Sequence, residues 1–132
     1  MAMPINTAKT KFAPTVPILR VADMAVAVKY YVEVLGFSNA DWGHELFTSV
    51  NRDKAGIYLC QGGQGKPGTW VWIGVDDVDA LHEEYAASGA KIQLPPNNYP
   101  WAYEMHVEDP DGHVLRFCAG SRNDLPIALA TF

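Results

Sequence analysis

Glu104 and His106 stand two residues apart in an alternating stretch, so an extended chain puts both on one side, where they could serve as general acid and base. No nucleophile or oxyanion donor accompanies them, and a glutamate that pairs with Arg116 or meets solvent explains the same spacing. The other imidazoles do not gather. His82 falls in a helical pattern, and His113 lies across a turn from His106 with opposite parity. Histidines so placed are hydrogen-bonding residues before they are metal ligands. Cys60 and Cys118 read as small buried fillers. The glycines at 62–68 do not lead a strand into a helix and make no phosphate loop, while Asp76, Asp77 and Asp79 suit helix capping better than calcium. What is left is aromatic. Trp70-Val71-Trp72 and Tyr58, with Arg116 and His106, have the composition to stack on a flat ring and meet its polar edge.

A repeat must position them. The same offset of 54 residues relates Asp23 to Asp77 and Tyr31 to Tyr85; each aspartate follows an apolar strand and begins apolar residues at helical spacing. Gly36 and Gly89 then supply left-handed helix ends. Residues 57–62 (IYLCQG) lie over 115–120 (LRFCAG), every position shifted by 58. Each half therefore predicts strand, helix and three strands, with strands over 16–21 and 70–75, helices over 24–35 and 78–88, and Asp23 and Asp77 as N-caps. Asp109-Pro110-Asp111-Gly112 predicts a tight hairpin that pairs Val107 with Leu115 and Met105 with Phe117, and sets His106 opposite Arg116.

Splitting the strands by parity separates two faces. Leu19, Val21, Ile57, Leu59, Val71, Ile73, Val75, Leu115 and Phe117 form an aliphatic face expected beneath the helices. Ile18, Arg20, Tyr58, Cys60, Trp70, Trp72, His106, Arg116 and Cys118 form the other, too large and aromatic for a solvent face. It lines a cavity, or else Trp70 and Trp72 fill the gap between the halves.

Paired βαβββ units, the run from Val16 to Asp23 through Tyr30-Tyr31 to Leu35-Gly36-Phe37, the segment 75–81 and Asp109-Pro110-Asp111-Gly112 resemble, over about residues 13–120, the vicinal-oxygen-chelate superfamily of glyoxalases, bleomycin-resistance proteins and dioxygenases. The resemblance implies an α+β fold of curved mixed sheets around a cleft, in a domain-swapped homodimer. Its metal-dependent members carry ligands at positions that fall here on Val16, Tyr58, Trp70 and Arg116, none of which suits a divalent ion. Pro17, Trp70-Val71-Trp72 and Pro100-Trp101 resemble the metal-free bleomycin-binding branch. That similarity implies a clamp from Trp101 and Phe47 (or Trp42), giving ligand-binding residues Phe47, Tyr58, Trp70, Trp72, Trp101, His106 and Arg116. No catalytic residue, metal or cofactor is expected, and the function implied is capture of a flat aromatic drug or metabolite; a glyoxalase- or dioxygenase-family lyase is the alternative. Arg20 and Arg116 would make this cleft less acidic than a strongly cationic drug favours.

Size and charge set the outer limits. The 132 residues divide into a tail (1–12), a first unit (13–62), a flexible glycine-rich linker (63–69), a second unit (70–120) and a second tail (121–132). A net charge of −5 without a basic stripe argues against nucleic acid. The absence of a ~20-residue apolar run argues against a membrane span. No signal-peptide core precedes the first unit and only two cysteines occur, so a cytoplasmic protein is expected.

Overall fold

Asp23 and Asp77 do what their positions predict. In a computed structural model that describes residues 9–129, each stands in extended backbone and its carboxylate accepts a hydrogen bond three residues on, from the Val26 and Ala80 amides at 3.1 and 2.9 Å. Each is preceded by a strand, β1 (Ile18–Arg20) or β5 (Trp70–Gly74), and begins a helix, α1 (Met24–Lys29) or α2 (Val78–Ser88). The helical stretches run into Gly36 and Gly89, whose positive φ angles of 76° and 85° turn the chain out. Strands β2 (Ser38–Asn39), β3 (Phe47–Arg52) and β4 (Ala55–Cys60) complete the first unit. Strands β6 (Lys91–Asn98), β7 (Tyr103–Glu108) and β8 (Val114–Ala119) complete the second. The two mixed sheets have matching order, β1-β4-β3-β2 and β5-β8-β7-β6, with the first strand parallel to the last. This is the α+β fold of paired βαβββ units that the repeat predicts. Among the described residues no helix is long and apolar enough to cross a membrane.

The hairpin register also matches. Val107 pairs with Leu115, Met105 with Phe117 and His106 with Arg116, with Gly112 at φ 78°. Leu19, Leu59, Leu115 and Phe117 join Tyr31, Leu35, Tyr85 and Met105 in a single core that spans both units.

The first helix differs from the expected uninterrupted one over 24–35. From Tyr30 to Val34 it widens into a π-turn, with the Leu35 amide bonded to the Tyr30 carbonyl five residues back. Two consecutive tyrosines thereby reach the other unit. Tyr30 donates to the Glu108 carbonyl and accepts from the Lys91 amide, while Tyr31 donates to the Asp109 carboxylate at 2.7 Å. In return the Tyr85 hydroxyl donates to the Leu35 carbonyl. The fully buried His113 accepts from the Thr69 amide at Nδ1, which leaves Nε2 to donate to the Arg20 carbonyl.

The linker is not loose. Gly65 lies so close against β1 that a Cβ would fall 2.8 Å from the Ile18 carbonyl oxygen and 2.9 Å from the Arg20 amide. Arg20 Nε donates to the Gln64 carbonyl, and Gln61 accepts from the Met24 amide. Most of the expected second tail is also fastened, because Asn98 donates to the Arg122 and Leu125 carbonyls and accepts from the Arg122 amide. Residues 9–15, by contrast, form no element and are exposed, with Phe12 96% accessible. The remainder of the expected tails, 1–8 and 130–132, lies outside the described residues.

Candidate functional site

In the second sheet, cross-strand register builds the polar-aromatic face. Trp72 pairs with Arg116 across β5 and β8, and Arg116 with His106 across β8 and β7, so the three form one row. Trp70, 57% exposed, meets the His106 ring edge-on at 5.5 Å. Trp72 is 63% exposed, and its ring lies over Gly74, where a Cβ would approach it to 3.1 Å. In the turn before β7, the Tyr99 amide bonds to the Ala102 carbonyl. The Trp101 indole stacks there on Tyr99, at 5.0 Å and 5° between planes.

Glu104 sits beneath this face, 1% exposed. Its carboxylate accepts from Arg116 Nη2 at 2.9 Å and Nε at 3.2 Å, from Trp101 Nε1 at 3.1 Å and from the Cys118 thiol at 2.9 Å. Burial alone would raise its pKa, but the bonds from Cys118, Arg116 and Trp101 outweigh burial and hold it below the ordinary value. Burial, with help from Glu104, pushes the Cys118 thiol up to about 12, so it is inert at neutral pH. Of the two readings of Glu104, the partner of Arg116 is the one observed. Arg116 is accordingly paired with Glu104 and is no free cation on the face.

In the first sheet, the Trp42, Phe47 and Tyr58 rings cluster at 5.2–6.2 Å. Gly43 makes this possible, since at φ 102° a Cβ would fall 2.6 Å from the Phe47 carbonyl oxygen. The loop thus folds back and presents Trp42 beside Phe47, so the two alternatives for one clamp wall share a cluster. The seven expected ligand-binding residues therefore divide. Phe47 and Tyr58 belong to the first unit's face, whereas Trp70, Trp72, Trp101, His106 and Arg116 belong to the second's.

A separate groove of about 530 Å³ opens on the opposite side of β5, lined by Phe37, Ile73, Val75, Tyr85 and Phe117 and edged by the Arg52–Glu84 ion pair. It corrects part of the expected burial of that face, because Ile73 and Val75 are only half-buried there. The hint in the sequence was an apolar stripe longer than one helix can cover.

A divalent ion does not fit the four positions where the resemblance puts ligands. Arg116 there is spent on Glu104, whose oxygens already meet four donor atoms, and Tyr58 is packed among rings. Among the described residues no three His, Cys, Asp or Glu side chains are grouped to hold an ion.

His106 Nε2 is buried without a hydrogen-bond partner, 3.8 Å from Glu104. Burial lowers the imidazole pKa, Glu104 opposing and Arg116 reinforcing the shift. The unfolded chain therefore takes up this proton near pH 6.5 while the folded chain resists it, and stability falls as pH drops below that value. Thermal melts between pH 8 and 5 should show the decline beginning near 6.5, and His106→Gln should delay its onset to lower pH. Coincident wild-type and variant profiles would exclude His106 as the source.

Comparison with known proteins agrees with this architecture. The family model of the Glyoxalase/Bleomycin resistance protein/Dioxygenase superfamily matches residues 11–117. The bleomycin-binding protein of bleomycin-producing Streptomyces verticillus, solved with copper(II)-bleomycin, is 30% identical with a TM-score of 0.72, over 85% of this chain and 99% of that one. TnmS3, an antibiotic-binding protein from Streptomyces sp. CB03234, shares the fold at 24% identity and a TM-score of 0.70, over 91% and 100% of the two chains. TioX from Micromonospora sp. ML1 does so at 24% and 0.68, over 86% and 100%. No curated protein matches.

Proposed function

This chain belongs to the glyoxalase/bleomycin resistance protein/dioxygenase superfamily, and within it we propose a cytoplasmic binding protein that captures a flat aromatic drug or metabolite without a metal ion. The observation that carries this reading is the exposure of Trp70, Trp72 and Trp101 in a sheet whose polar groups are already organised. Two indoles more than half exposed on one short strand form an apolar surface of the kind that marks a binding site. Rings that stack on a planar ligand select shape over hydrogen-bond pattern, as a drug-sequestering protein requires.

The cleft is completed by a second copy. Phe47 and Tyr58 of one chain would face Trp70, Trp72 and Trp101 of the other, which gives the twofold assembly two equivalent sites. Segment 9–15, which forms no element and leaves Phe12 exposed, would reach across to the partner. Acid-base catalysis by Glu104 and His106 is disfavoured, because the glutamate is held ionised beneath Arg116. Capture is stoichiometric. A thermal-shift screen of planar natural products, followed by calorimetry, should find a ligand that binds one per chain and leaves unaltered; turnover would overturn the reading.

Light scattering at micromolar concentration should return twice the 14.5 kDa chain mass. A stable monomer would remove the shared cleft.

A further inference from the structure

Glu104 lies where three functions meet. Its Oε1 accepts from the Trp101 indole at 3.1 Å and from Arg116 at 3.1 Å, and its Oε2 from Arg116 at 2.9 Å and from Cys118 at 2.9 Å. The carboxylate is 1% exposed, whereas Arg116 and Trp101 reach the surface of the face. The indole stacks on Tyr99 by one side. Its N–H bond to a buried, fixed anion then sets the rotation of the ring about that stack, so the platform is oriented before any ligand arrives.

The same bond geometry sets the charge of the face. Arg116 is the cation in the Trp72–Arg116–His106 row, and Glu104 engages it through two nitrogens. His106 beside it is held neutral by burial at pH 7. The row thus presents hydrogen-bonding edges without net charge.

We propose that Glu104 is a positioning and specificity residue: its buried carboxylate orients Trp101 and cancels Arg116, so that the face takes neutral and cationic planar ligands without the preference for anions that an unpaired arginine would impose. This rests on the reading of the face as a ligand site. It removes the conflict between an arginine in the cleft and a cationic guest, and assigns the preference to a residue that itself never touches the ligand.

The test uses the full chain and two planar probes of one shape and opposite charge, 9-aminoacridine (cationic at pH 7) and acridine-9-carboxylate. Wild type should bind the cation at least as tightly as the anion. Glu104→Gln frees the Arg116 charge and should shift the affinity ratio toward the anion by about tenfold. Glu104→Gln combined with Arg116→Gln should return it towards wild type, a restoration that mere damage to the fold would not produce. Trp101→Phe keeps a ring but loses the N–H anchor, and should weaken both probes several-fold with the ratio unchanged. If Glu104→Gln fails to fold, Arg116→Gln supplies the charge test with opposite sign, moving the ratio towards the cation. A ratio unmoved in a folded charge variant overturns the charge role, and wild-type affinity in Trp101→Phe overturns the orienting role. If neither acridine binds wild type, the site reading fails and the proposal with it.

Discussion

Asp109→Ala should lower the melting temperature by about 10 °C or more. The carboxylate is 3% exposed and accepts from the Tyr31 hydroxyl at 2.7 Å and from the Asp111 and His113 amides at 2.8 and 2.9 Å. Alanine leaves those donors without an acceptor, and each buried unsatisfied group costs about 1–3 kcal/mol. For a chain of this size about 3–4 kcal/mol corresponds to roughly 10–15 °C. The loss also unties the units, because Tyr31 is on the first and Asp109 on the second. Asp109→Asn keeps an acceptor for the turn amides and should recover much of the difference. Calorimetric melts of wild type and both variants decide the matter; an alanine variant within about 2 °C of wild type would show that the turn holds itself.

The second large effect concerns binding. Trp101→Ala, and Phe47→Ala on the facing unit, should each weaken a planar aromatic ligand by about 1–3 kcal/mol, several-fold to a hundredfold in Kd. Trp101 is 47% exposed and lies in a turn, but it stacks on Tyr99 and donates to the buried Glu104, so its removal should lower the melting temperature modestly as well. Phe47 touches Trp42 and Tyr58, and its loss should cost stability as well. Trp72→Ala belongs with the binding variants but removes a strand residue. Titration by calorimetry separates the effects from folding. Wild-type affinity in both Trp101→Ala and Phe47→Ala would mean that the rings only pack.

Local chemistry explains which features could be seen in the chain. Asp23 and Asp77 cap helices through bonds that span three residues, and Asp109-Pro110-Asp111-Gly112 sets a register through its own turn. That register alone sets His106 against Arg116. The π-turn was invisible, because Tyr30 to Val34 has the same pattern in either helix; the acceptors that favour it, the Glu108 carbonyl and Asp109, lie 78 residues away. The linker looked loose because glycine suggests freedom, yet Gly65 is needed for close approach to β1. The pairing of Arg116 is legible only in part. Parity placed Glu104 near it, but not the turn that brings Trp101 onto the same carboxylate. The division of the ring residues between two faces follows from the two units themselves, each of which forms its own sheet.

The two sheets are alike in order and unlike at their margins. Gly65 and its neighbours lie along the outer margin of β1, but β5 has no strand beside it other than β8 among the described residues. The segment left open, Trp70-Val71-Trp72-Ile73-Gly74-Val75, is uncharged, free of proline and rich in strand-forming side chains, the composition from which cross-β fibrils are nucleated. A lone chain is thus a template for its own aggregation, and whatever covers β5 is also its guard. A variant that keeps its fold but cannot associate should therefore deposit faster than wild type at the same concentration.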